Sequence, residues 1–321
     1  MTTTSHHAVF DLAPHVSGAF ARRAASFLRP AVFKLLGLDK LEAIHGRLPA
    51  QADAAGYIDA LLNELSVSIR VSPEELERIP KTGPVVVVAN HPFGCLEGLV
   101  LAKMLLAVRP DAKIMANFLL SRLPQVRDLF VFVDPFGGAD ATTRNVRPLK
   151  ECLSVLRAGG LLGMFPAGAV AHPRLINGRL DVADPRWNPS VARLVRKTGA
   201  TVVPIRFSGK NSLLFQTLGL VHPMLRTLML PRELANKQGA TVEARIGSPV
   251  PADRLERLAS RNADPDACIT RHLRLRVALL RDRPHKPRLL PPLFPPRTGS
   301  RQDALIPAVN PELLADEIGR L

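Results

Sequence analysis

Val85-Val86-Val87-Val88-Ala89-Asn90-His91-Pro92-Phe93-Gly94-Cys95-Leu96-Glu97-Gly98 joins a wholly apolar run to Asn-His-Pro, and a carboxylate comes six positions after the histidine. An apolar run without alternation matches a strand buried on both faces of a parallel sheet. Open α/β sheets keep their chemistry where such strands end and helices begin. A residue before proline is pushed out of the α region, so His91 stays extended. Pro92 suits the first helical position. The spacing therefore predicts a helix from Phe93 onward, with free N–H groups beside the imidazole as an anion or oxyanion site. Glu97 is placed to fold back on the ring nitrogen that faces away from a substrate. The plainer reading is a satisfied histidine at a strand end with a solvated glutamate.

Outward from this stretch, strands and helices alternate. Strands are expected at 112–117, 129–133, 161–165, 201–207 and 241–246. Helices are expected at 57–65, from Ser72 onward, and at 96–108, 142–158 and 190–198. This alternation predicts an α/β fold, a mostly parallel sheet covered by helices on both faces. An N-terminal amphipathic helical segment (1–75) precedes the main domain (76–255). A C-terminal helix and Pro/Arg-rich tail (256–321) complete the chain. The basic amphipathic stretch around Phe20, Phe27 and Phe33, with Arg22, Arg23 and Arg29, suits either a lipid headgroup layer or packing on the main domain. The Leu- and Met-rich residues 212–231 suit either core or an apolar platform for acyl chains.

The chain has 321 residues, 46% of them hydrophobic, enough for a large core. Cys95, Cys152 and Cys268 lie far apart, without metal-ligand spacing, as in a reducing compartment. A net charge of +15 favours polyanionic partners. Those are nucleic acid, an anionic membrane face or an acidic carrier protein. Only 5% of residues are aromatic, and no zinc-finger or RNA-binding motif occurs, which argues against nucleic acid. No apolar stretch approaches the ~18 residues of a membrane span. The first residues lack the order of a signal peptide. The expected location is the cytoplasmic side, soluble or lying on the inner face of the membrane.

No Gly-x-Ser-x-Gly, dinucleotide or P-loop motif is present. Cys95, four positions after His91, is either half of a Cys–His pair or a small buried residue. A base without a protein nucleophile suggests direct transfer, with His91 deprotonating a substrate hydroxyl that attacks an activated carbonyl.

Four blocks, in order, resemble the glycerophospholipid (lysophospholipid) acyltransferase superfamily, and within it the bacterial putative-hemolysin branch that includes ornithine-lipid-type O-acyltransferases. They are residues 90–98, then Val133-Asp134-Pro135-Phe136-Gly137-Gly138, then Phe165-Pro166-Ala167-Gly168, and Val203-Pro204-Ile205. Asn117-Phe118-Leu119-Leu120, Trp187-Asn188-Pro189 and Gly209-Lys210-Asn211-Ser212 add to the likeness.

The resemblance makes residues 76–255 the acyltransferase domain. It implies fatty acyl transfer from acyl-CoA or acyl carrier protein to the hydroxyl of a lysolipid, namely lyso-ornithine lipid, another lyso-aminolipid or lysophosphatidate. It implies no cofactor and no metal. His91 stands as general base and Glu97 as its orienting acid. Asn90, Pro92, Phe93, Gly94, Phe136, Gly137 and Arg144 are expected around substrate. Phe165, Pro166, Ala167 and Gly168 are expected at the acceptor, and Val203 and Pro204 on the acyl-donor side.

Two departures stand out. Five residues rather than four separate the histidine from its acid, which is Glu rather than Asp. The third block ends in Ala169 where the branch carries glutamate, so it has no carboxylate. A catalytically degenerate protein that binds lipid without turnover is the alternative.

Overall fold

Val85–Ala89 forms a strand in which every residue is buried. The structure, a computed structural model, describes residues 33–49, 53–117, 124–134, 141–176, 178–260, 262–282 and 287–290. Expectations for residues 1–32 and for the Pro/Arg-rich tail beyond 290 lie outside them. In chain order the strands are β1 (Ser68–Val71), β2 (Val85–Ala89), β3 (Lys113–Asn117), β4 (Phe130–Val133), β5 (Leu161–Met164), β6 (His172–Ile176), β7 (Arg179–Ala183), β8 (Thr201–Phe207), β9 (Thr241–Ile246) and β10 (Arg288–Leu289).

Eight strands form one sheet in the order β10-β1-β9-β8-β2-β5-β3-β4. β2 runs parallel to β5 and β8, β3 to β4 and β5, and β1 to β9. Only the β8–β9 and β1–β10 pairings in this sheet are antiparallel, among the described residues. The α/β architecture expected from the alternation is therefore the one observed.

Successive side chains of a strand point to opposite faces, and β2 shows what that does. Val85, Val87 and Ala89 enter the core beneath the helices Ala54–Glu64 and Cys95–Val108. Val86 and Val88 enter the opposite core with Cys152, Leu156, Val191, Val195, Ile269 and Leu273. Those residues belong to the helices Ala141–Arg157, Ser190–Thr198 and Pro265–Leu279. At the amino-terminal edge, Arg109 donates to the carbonyls of Gly83 and Gly159, tying the starts of β2 and β5 together.

The carboxyl ends of the parallel neighbours β2, β5 and β8 meet at the other edge. They deliver Asn90-His91, Phe165–Gly168 and the loop after Phe207 to one place.

The helix after β2 begins later than Pro92 predicts. It starts at Cys95, with Gly94 at its N-cap in a φ of 99°. A side chain there would be strained and would meet Leu230, whose Cδ2 lies 2.6 Å from an added Cβ. The Ser72–Glu75 signal gives only one turn, Pro73–Leu76, in which the Ser72 hydroxyl donates to Glu74 instead of capping the backbone. The helix Leu38–His45 falls within the segment expected to be helical, but that segment also holds the strand β1, and the sequence reading missed β10, the β6–β7 hairpin and the helices Leu213–Val221, Pro223–Leu228, Leu230–Ala235 and Ala252–Ala259.

Candidate active site

β2 ends at Ala89, and Asn90 fixes the turn beyond it. Its side-chain amide donates to the Phe207 carbonyl at 2.9 Å and accepts from the Phe207 N–H at 2.7 Å, locking the turn to the end of β8. Both backbone groups of His91 are then held by the base of the hairpin. The His91 N–H donates to Asp184 Oδ1 at 3.0 Å, and its carbonyl accepts from the Ala171 N–H at 2.7 Å. The ring stacks on Phe165, with centroids 4.5 Å apart and planes at 28°.

Glu97 lies under this ring. Its side chain is fully buried, whereas that of His91 is 17% exposed. Oε1 sits 2.9 Å from His91 Nδ1, although the approach is off hydrogen-bond alignment. The same oxygen accepts from the N–H groups of Phe93 at 2.9 Å and Gly94 at 2.8 Å. Glu97 occupies the third position of its helix and reaches back to the cap, as a capping-box glutamate does. This corrects the oxyanion expectation: the N–H groups of Phe93 and Gly94 are already bonded to Glu97.

A buried carboxylate facing Nδ1 keeps the proton there and leaves Nε2 basic. Nε2 makes no hydrogen bond among the described residues. A ring so held can accept a proton from a hydroxyl and keep the resulting imidazolium against Glu97. Cys95 offers no alternative nucleophile, because burial pushes its thiol up to about 12, with the charge of Glu97 adding to the effect.

The structure distributes the other expected residues unevenly. Phe165 reaches the ring, and Pro166 is buried behind it, its carbonyl accepting from the Asn188 N–H at 2.8 Å. Ala167 packs on the core, and Gly168 is exposed. Pro92 and Phe93 are buried, so they support the turn from beneath. Val203 and Pro204 lie mid-strand in β8 beside Val87 and Val88, buried in the sheet, and do not reach His91. Phe136, Gly137 and the side chain of Arg144 lie outside the described residues.

Several residues that hold the site carried no functional expectation from the sequence. Asp184 accepts from His91 through one oxygen and from the Trp187 indole through the other, at 3.0 Å each. Burial pushes its carboxyl above the ordinary value, and those two donors with the nearby charges of His91 and Arg274 pull the other way. Asn211 donates to the Phe93 carbonyl at 2.9 Å. Lys237 sits 4.8 Å over the Phe93 ring and donates to the Lys210 carbonyl.

Asn177-Gly178, flanked by β-type residues, was the signal for the hairpin that carries Ala171 and Asp184. The register pairs Ile176 with Arg179, the two residues that flank Asn177-Gly178 in the sequence.

A family described as acyltransferase matches residues 45–268. The lyso-glycine lipid O-acyltransferase of Phocaeicola vulgatus is 25% identical over 202 residues, covering 61% of this chain and 68% of the relative. That of Bacteroides thetaiotaomicron is 27% identical over 207 residues, covering 61% and 70%. The crystal structure of the 1-acyl-sn-glycerophosphate acyltransferase PlsC from Thermotoga maritima aligns with a TM-score of 0.41 at 18% identity, over 82% of this chain and 99% of that one. The family match takes in the strand, the His91–Glu97 pair and the hairpin, and extends over more than half of the 321 residues. The chain belongs to the acyltransferase family.

Proposed function

We propose that this protein transfers a fatty acyl group from an acyl thioester, carried by acyl carrier protein or coenzyme A, to the hydroxyl of a lysolipid. The observation that carries the reading is the buried Glu97 carboxylate 2.9 Å from His91 Nδ1, at the end of the central strand. His91 Nε2 takes the proton of the acceptor hydroxyl as its oxygen attacks the thioester carbonyl. The C–O bond forms and the C–S bond breaks. The imidazolium returns the proton to the departing thiolate, leaving an ester and a free thiol. Glu97 stabilises the charged ring between these steps.

The names of the two relatives favour a lyso-aminolipid over lysophosphatidate as acceptor. A lyso-glycine or lyso-ornithine lipid fits that class. A charge of +15 suits both an acidic carrier protein and an anionic membrane. Among the described residues no helix is long and apolar enough to cross a membrane. Peripheral association with the inner face of the cytoplasmic membrane is the mode we propose.

The test is acceptor-dependent thiol release from palmitoyl thioesters of both carriers, with products identified by mass spectrometry. Conversion of a lyso-aminolipid to its two-chain form is expected. Vesicle binding without turnover on any lysolipid would replace the reading by a catalytically degenerate lipid-binding protein.

A further inference from the structure

A helix as apolar as Leu213–Val221, in which only Gln216 and Thr217 are polar, belongs in a core, but it is covered on one side only. Phe215 is fully buried with Val170 and Met229, and Leu218 packs beside them. The other side turns out Leu213, Leu220 and Val221, at 79%, 65% and 76% exposure. The same helix touches β6. There the hairpin carries Leu175 and Leu180 directly opposite one another, 75% and 71% exposed. Exposed apolar surface of this extent marks an interaction site. Beside it lie two described arginines, Arg226 on the neighbouring helix Pro223–Leu228 and Arg174 on the other face of the hairpin, cross-strand from Asp181. No carboxylate pairs with Arg226 among the described residues.

We infer that this face, the outer side of Leu213–Val221 with the end of the β6–β7 hairpin, is the surface that seats the protein on an anionic bilayer. The inference rests on the lysolipid reading above. Apolar side chains enter the boundary between headgroups and acyl chains, and arginines meet the anionic headgroups.

The same hairpin holds the reacting histidine at its other end, through Ala171 and Asp184. A five-residue strand is about 17 Å long, so the hairpin spans from the bilayer to the His91 ring. A lysolipid can then present its hydroxyl while its chain stays in the leaflet.

The test is flotation of the full chain with vesicles of phosphatidylglycerol and phosphatidylcholine. Wild type is compared with the triple variant Leu213→Ser/Leu220→Ser/Val221→Ser and the double variant Leu175→Ser/Leu180→Ser. Each variant is expected to lower partitioning about tenfold or more, and about 0.5 M salt is expected to weaken wild-type binding. Thermal midpoints, and turnover on a water-soluble short-chain acceptor, stay at wild-type values. If wild type floats and both variants float equally, the inference falls and the lysolipid reading stands. If the substitutions instead change oligomeric state without lipid, the face joins two copies and the inference falls. Turnover on soluble acceptor without flotation of wild type also overturns the inference alone. No transfer to any acceptor overturns the reading on which it rests.

Discussion

Replacing Glu97 by glutamine separates the two tasks that its Oε1 performs. The amide oxygen of the introduced glutamine can still accept from the N–H groups of Phe93 and Gly94, now at 2.9 and 2.8 Å from the carboxylate. Each of those bonds weakens by about 1 kcal/mol when the acceptor loses its charge. Relief of the cost of a buried carboxylate offsets that loss. Stability is therefore expected to change by no more than about 1 kcal/mol.

Catalysis has no such offset. At the 2.9 Å separation from Nδ1, an effective dielectric constant of about 20 gives an attraction to the imidazolium of about 6 kcal/mol. Removing the acid that orients a catalytic histidine has cost about 10⁴ in kcat in a serine protease, the same order. Glu97→Gln should lower kcat by about 10³- to 10⁴-fold, read as initial thiol release at saturating acceptor, with the thermal midpoint nearly unmoved. Glu97→Asp, one methylene shorter, cannot serve ring and cap together and should lose both activity and thermal stability. A glutamine variant within about threefold of wild-type kcat, with its fold intact, would refute the reasoning.

The surroundings of His91 carry three further predictions. Asp184→Asn leaves one of its two N–H donors facing an amide NH₂. It should cost about 2 kcal/mol in urea unfolding and reduce kcat more than it raises KM; unchanged unfolding would remove Asp184 from the network. At Gly209, φ is 126° and an added Cβ would lie 2.3 Å from Phe93 Cζ, so Gly209→Ala should destabilise by about 2 kcal/mol or more and disturb the turn that carries His91; a thermal midpoint equal to wild type would contradict this. Burial holds His172 and His272 below the ordinary histidine value, helped by the charges of Arg226 and Arg174 for the first and of Arg276 and Arg254 for the second. The unfolded chain then binds more protons, so stability should decline as pH falls below about 6.5 and level off beneath the folded values. His172→Gln should flatten part of that slope, and an unaltered slope would show the histidine to be uninvolved.

How much of the fold and site was legible depends on the range of the interaction. The valine run revealed β2 because burial on both faces leaves no polar position. The helices Cys95–Val108 and Ser190–Thr198 were legible to within a residue, the second closed by Gly199 in a left-handed conformation. Only the Phe93 start drawn from Pro92 came too early, because Pro92 gives a local signal, whereas Gly94 and the reach of Glu97 set the cap. That same geometry accounts for the longer acid and wider spacing: a glutamate at the third helical position can touch both the cap and the ring.

The clamp on His91 was not legible, because Asn90 meets Phe207 across 117 positions and Asp184 meets His91 across 93. Only sheet order brings them together. Residues 212–231 are dense in Leu and Met, and packing, not periodicity, buries Phe215 and exposes Leu213.

The most direct measurement compares wild type with His91→Ala in lysolipid-dependent thiol release from an acyl thioester, with circular dichroism and thermal unfolding as the check on fold. If the imidazole removes the acceptor proton, the variant folds like wild type and its transfer rate drops by at least about 10³-fold. Equal turnover by the two proteins would contradict it.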